Sequence, residues 1–266
     1  MPEKHSRKNF LPVVIACVIM ILGADIALAQ ADLEHIQDLV AANHILAQHG
    51  VLDGYGHVSV RHPGNPNHIL ISRSRPAALL TAADIVEVDL DGNPLDAEVP
   101  PLFQETFIHT ETYRSRPDVH AIVHSHSPTV ITFSVSSVPL RALSSLSAFI
   151  MQGVPIWDYR RLGVERGPLV DDASRGRDLA ETLGTKAVVL MRNHGATIVG
   201  SSLSMAVGRS IYLEQSAQIQ LQAMLLGGDV HYLELAGEAV EYFGQGNDYE
   251  QAWELWRQGG MPDTDR

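Results

Sequence analysis

A single cysteine, Cys17, occurs in the 266 residues, and it lies in an apolar N-terminal run rather than in the body of the chain. Downstream of it neither a disulfide nor a thiolate metal site can form, so any metal there must be held by histidine and carboxylate. Positive charge is scarce as well: 19 Lys and Arg stand against 31 Asp and Glu, a formal charge of −12, with no basic stripe. That balance argues against nucleic acid or an anionic membrane as the partner and leaves a small-molecule substrate as the expectation. Internal repeats, low-complexity tracts and a marked linker are also missing. The length and ordinary apolar content suit one large domain with a generous core.

The first residues are a different kind of sequence. Lys4, Arg7 and Lys8 precede an apolar run over 10–22, and Ala27-Leu28-Ala29 supplies small residues at the cleavage-type positions. This layout predicts a signal peptide over 1–29, cut before Gln30, and therefore a secreted or periplasmic protein with a single domain over 30–266. An uncleaved membrane anchor is the alternative, although Gly23 and Asp25 shorten the apolar stretch below the roughly 20 residues that a spanning helix prefers. After cleavage the chain holds no cysteine.

Along the mature chain, apolar spacing predicts a helix from Asp32 to His49, with Leu33, Ile36, Val40, Ile45 and Leu46 on one face, Asp32 as N-cap and Gly50 closing it. Strands are expected at 56–61, 68–72 and 85–90, the third preceded by a capped turn at Thr81–Asp84 and ended by Asp91-Gly92. A helix over 104–114 leads to a strand ending in His124-Ser125-His126. Helices at 129–135 and 143–151, a short strand at 155–159 and a helix at 174–183 follow. Next come a strand over 187–191, its neighbour over 197–199, and a long helix over 203–226 carrying Tyr212 and Glu214. Strands and helices alternate throughout, which predicts an α/β fold, a three-layer α/β/α sandwich. Several connections are too short for crossovers, so the central sheet should be mixed.

His124 and His126 are two residues apart in a strand and so emerge on the same face; His194, in Asn193-His194-Gly195, can close a three-histidine set. Neutral imidazoles are the commonest ligands of divalent transition metals, and three of them leave a coordination position open for chemistry. A His-x-His pair alone is equally a polar strand face.

The segment Pro101 to His126 reads as one unit: Glu105 opens a helix, His109 follows one turn later, Tyr113-Arg114-Ser115-Arg116-Pro117-Asp118 ends it, and the His124/His126 strand comes next. With 56–61, Asp84 to Gly92, Asn193-His194-Gly195 and Tyr212-Leu213-Glu214 in order, the chain resembles the class II aldolase/adducin family from about Leu33 to about Leu226. The resemblance implies one divalent metal per chain, zinc or manganese with iron or cobalt open, on the residues matching His124, His126 and His194. It also implies an acid/base role for Glu105 and a homotetramer with active sites at subunit interfaces. The metal would stabilise the negative charge left when a C–C bond breaks, and the carboxyl group would move the proton. Taken alone, Glu105 is equally a helix N-terminal charge favoured by the macrodipole.

The chain departs from the family's sugar-phosphate pattern. His57 stands where the phosphate-binding Asn is expected, Ser72-Arg73-Ser74-Arg75 where a Ser-Gly turn is, and Phe103-Gln104 where a Ser-Ser pair is. These swaps dismantle a phosphate cradle. Arg73 and Arg75 offer planar forks for carboxylate, His57 a donor, and Phe103 an apolar surface, with Ser72 beside them. The combination looks like the family's decarboxylase branch, acting on hydroxypyridine dicarboxylates or hydroxyaryl acids. The expectation is a metal-dependent lyase that decarboxylates a hydroxy- or oxo-substituted carboxylic acid. Alternatives are an aldolase or epimerase working on a sugar or sugar phosphate, a non-catalytic adducin-like interaction module, and oxidative chemistry at non-haem iron. His109, Tyr159 and Tyr212 are equally explained by packing.

Overall fold

In the computed structural model, residues 33–239, 242 and 249–259 are described. The expected signal segment, Gln30 and the N-cap Asp32 lie outside them. A seven-stranded sheet has the order β3-β2-β1-β4-β7-β6-β5, with β1 His57–Arg61, β2 His68–Ser72, β3 Ile85–Asp89, β4 Ala121–Ser125, β5 Ile156–Trp157, β6 Val188–Met191 and β7 Gly195–Gly200. All neighbours are antiparallel except β5 and β6. The sheet is therefore mixed, as the short connections require.

The pleat separates two cores. Val58, Val60, Leu70, Val123, Leu190 and Ile198 face one side, under helices α1 (33–48), α3 (Pro128–Val135), α5 (Leu203–Leu226) and α6 (Glu250–Arg257). Ile69, Ile71, Ile122, Val189 and Val199 face the other, under α2 (Thr106–Ser115) and α4 (Ala173–Leu183). The three-layer α/β/α architecture is the one expected from the alternating pattern.

Three local readings change. In α1 the buried stripe is Leu39, Ala42, Ile45 and Leu46, whereas Leu33 is 50% exposed at the start of the helix. The stretch over 143–151 forms a 3-10 turn, Ser145–Ile150, rather than a full helix. Beyond Leu226, where the sequence reading assigned no element, α6 buries Trp253 and Trp256, and Tyr249 packs so closely that a Cβ on Gly208 would lie 2.4 Å from its ring. Tyr212 belongs to this packing, stacked on Tyr249 at 5.3 Å. Glu214, on the same helix, accepts hydrogen bonds from the backbone N–H groups of Thr129 and Val130. It thereby caps α3 directly after the His124/His126 strand.

Candidate active site

Strand register gathers the expected residues at one end of the sheet. His57 at the start of β1 pairs with His124 near the end of β4, and β7 lies on the other side of β4 with Ser125 opposite Ala196. His194 sits in the β6–β7 turn, which Asn193 makes with a φ of 60°. Gly195 is required there: a Cβ would fall 2.0 Å from the Ser125 carbonyl oxygen. The lack of a side chain lets β7 close on β4 and brings His194 against the histidine pair.

One ligand atom each from Glu105, His124, His126 and His194 lies within 4.8 Å of every other. The three rings stand 4.9–5.0 Å apart, centroid to centroid. Their outer nitrogens are all held: His124 Nδ1 is 3.2 Å from the Ala196 carbonyl oxygen, His194 Nδ1 3.2 Å from that of Pro168, and His126 Nδ1 3.1 Å from both carboxylate oxygens of Asp53. Each acceptor places the ring proton on Nδ1 and leaves Nε2 as a bare lone pair. His124 Nε2 and His126 Nε2 then face each other at 3.1 Å with no proton between them. Converging lone pairs of this kind fit a cation, so the donor set suits a divalent metal.

Glu105 is the N-cap residue of α2. One of its oxygens accepts from the Val170 backbone N–H at 2.9 Å; the other lies 3.3 Å from His194 Nε2 and 3.6 Å from His124 Nε2. Burial pushes its carboxyl up; where His194 and His124 turn a protonated nitrogen toward it, they and the Val170 N–H outweigh burial and hold it at about 2. It is a carboxylate at neutral pH. The loop before α4 thus orients two members of the cluster, His194 through Pro168 and Glu105 through Val170.

His57 lies at the edge of this cluster, its ring 5.1 Å from that of His124 and 4.4 Å from that of Phe103. Burial drives its imidazole well below the ordinary histidine range, so it is neutral. Arg73, directly after β2, continues the pleat face of Ile69 and Ile71, the face that also carries His57. Its Nε donates to Asp84 at 2.6 Å, and Arg75 approaches the same carboxylate at 3.5 Å. Both arginines are therefore anchored on the buried Asp84, which Thr81 also contacts through its backbone N–H and hydroxyl. Ser72 is not brought to the cluster. The pleat puts its side chain on the Leu70 and Val58 face, away from His124, and its hydroxyl is buried without a partner.

Asp53 escaped sequence reasoning, and Asp84, read correctly as part of the capped turn from Thr81, was not linked to the arginines. Asp53 had one usable signal, its Asx turn onto the N–H groups of Tyr55 and Gly56 just before a strand that opens with His57. Its reach to His126, 73 residues away, is purely tertiary.

Comparison with known proteins gives a consistent picture. The family described as "Class II Aldolase and Adducin N-terminal domain" matches residues 37–221. "Decarboxylase tropJ" of Talaromyces stipitatus is 35% identical over 204 residues, covering 72% of this chain and 77% of the relative. A 3,4-dihydroxyphthalate decarboxylase of Arthrobacter keyseri is 32% identical over 199 residues, covering 71% and 79%. Among solved structures, the L-fuculose 1-phosphate aldolase of Glaciozyma antarctica superposes with a TM-score of 0.67 at 26% identity, covering 84% of this chain and 87% of that one.

Proposed function

Because this chain belongs to the class II aldolase and adducin family, and is thus a lyase of that family, we propose that it is a divalent-metal-dependent decarboxylase of a hydroxy- or oxo-substituted, carboxylated and aromatic acid. The observation that carries the proposal is the set of three Nδ1-anchored imidazoles converging with Glu105; Arg73, on the pleat face that carries His57, adds a cation where a phosphate cradle is lacking. The decarboxylase names of relatives that are 32% and 35% identical over 199 and 204 matched residues support the same choice.

His124, His126 and His194 would hold the ion, zinc or manganese in the first instance, with iron or cobalt also tested. Once bound, the ion supplies a positive centre for the substrate oxygen beside the scissile carboxylate and for the charge left when CO2 departs. Arg73 and Arg75 bind a carboxylate, pre-aimed by Asp84. Phe103 and His57 wall the ring. Glu105, ionised, takes a proton from a substrate hydroxyl or water and returns it to the carbon that lost CO2. The balance closes: the C–C electron pair stays on carbon, and the proton taken up by the carboxylate fills it.

The test is CO2 release from a panel of hydroxyaryl dicarboxylates with manganese, zinc, iron and cobalt loaded in turn. Release with at least one pair is expected; none at all sinks the decarboxylase reading. Cleavage of a sugar phosphate would install the aldolase reading in its place. A homotetramer is proposed from the family resemblance, to be read by light scattering. Export through residues 1–29 is proposed from the sequence, with Gln30 as the mature N-terminus; an intact Met1 in envelope membranes would instead indicate an anchor. Among the described residues no helix is long and apolar enough to cross a membrane.

A further inference from the structure

Away from the metal cluster, a row of buried polar groups leads from His57 along the sheet face. His57 Nδ1 is 2.7 Å from His109 Nε2, His109 Nδ1 is 2.6 Å from Ser59 Oγ, and Ser59 Oγ is 3.0 Å from the Tyr113 hydroxyl. The Tyr113 hydroxyl in turn donates to the Ser59 carbonyl oxygen at 3.1 Å. His57 Nε2 is buried and has no partner. Nδ1 is taken up by His109, and the ring as a whole lies 5.1 Å from that of His124, its register partner on β4.

Two proton arrangements are conceivable along this row. In one, Ser59 donates to His109 Nδ1 and His109 Nε2–H to His57 Nδ1, which leaves His57 Nε2–H as a buried donor with nothing to receive it. In the other, the Tyr113 proton lies on the Ser59 carbonyl, Ser59 donates to Tyr113, His109 Nδ1–H to Ser59 and His57 Nδ1–H to His109. Every proton is then placed, and only a lone pair on His57 Nε2 is left open. Buried orphan N–H groups are rarer and costlier than under-used acceptors, so the second arrangement prevails. Burial, which holds the His109 imidazole down at about 3, keeps the row neutral as this requires.

We infer that His57 Nε2 is a hydrogen-bond acceptor that reads a free hydroxyl on the substrate, its polarity fixed through His109, Ser59 and Tyr113. This polarity is opposite to the donor expected from sequence. The inference rests on the decarboxylase reading and narrows its substrates to acids with an unblocked hydroxyl in reach of His57. His109, Ser59 and Tyr113 act as positioning residues. The ring of Phe103, at 4.4 Å, keeps the imidazole plane in place.

Two measurements test it. Nitrogen NMR of the wild-type protein, with His57 assigned by its loss in His57→Phe, should show the proton on Nδ1 and a bare Nε2; a proton on Nε2 overturns the inference whatever the substrate is. Calorimetry on the metal-loaded protein then compares 2,3-dihydroxybenzoate with its two monomethyl ethers. Wild type should bind one ether at least about tenfold more weakly than the free diol, the size of one hydrogen bond. In His57→Phe that gap should close to within about threefold with metal content unchanged. A gap that persists overturns the inference, and loss of the metal would make His57 a ligand instead. If none of the three acids binds, the decarboxylase reading is what suffers, and the nitrogen signals still decide the polarity.

Discussion

Asp53 grips His126: both carboxylate oxygens stand 3.1 Å from Nδ1, while two backbone N–H groups of the same turn pin the carboxylate. The pairing fixes the ring orientation and makes Nε2 a stronger base toward a metal. Asp53→Asn should weaken metal binding by about 10- to 100-fold, as is usual when such an outer partner is lost. Competition titration against a chromophoric chelator measures it, and unchanged affinity would remove Asp53 from the site.

Glu105 is tied to Val170 by one oxygen and faces the imidazoles with the other. Glu105→Gln preserves the shape and the Val170 contact but cannot carry a proton. Turnover should fall by about 10²- to 10⁴-fold, with metal content in the purified protein essentially retained. Loss of metal rather than of turnover would show that the carboxylate serves mainly as a ligand.

Asp84 carries a sign that can be worked out. Burial pushes its carboxyl up, but the Thr81 and Arg73 hydrogen bonds outweigh that and hold it at about 2, below an unfolded value of about 3.9. The stabilisation is therefore fully present above about pH 4 and is lost as pH falls toward 2. Asp84→Asn should cost up to about 2 kcal/mol at pH 7, and the gap from wild type should narrow in denaturant melts at pH 3. The same variant frees Arg73, so the KM for a carboxylated substrate should rise more than kcat falls.

Gly195→Ala tests the strand contact. With its Cβ at 2.0 Å from the Ser125 oxygen, the substitution must push β7 off β4, at a cost of about 1–3 kcal/mol or more. Because His194 precedes it, metal affinity should drop together with the melting temperature. A variant that melts like wild type and binds metal normally would contradict the close approach.

Particular elements show how far the sequence reaches. β2 spans His68–Ser72 and α5 spans Leu203–Leu226, the limits read from alternation and from long 3.6-residue periodicity. Both signals are local. The 3-10 turn at Ser145–Ile150 was not legible as such, because a short apolar run suits a helix equally well until its packing partner is known. α6 was legible in the spacing of Trp253 and Trp256, three residues apart on one helix face, and only their packing partners are tertiary.

The sequence by itself determined the alternating α/β order, the delivery of His124 and His126 together at the end of one strand, although β4 stops at Ser125, and the residue types able to hold a metal without cysteine. These follow from side-chain period and ligand chemistry, which act over a few residues. Tertiary structure alone decided that Asp53 buttresses His126, that Asp84 anchors both arginines, that Ser72 faces away, and that His57 meets His109 through Nδ1 while Nε2 is left without a partner. Each of these is set by strand register and by acceptors far away in sequence. No local pattern encodes which atom will stand within hydrogen-bond distance once the sheet has closed.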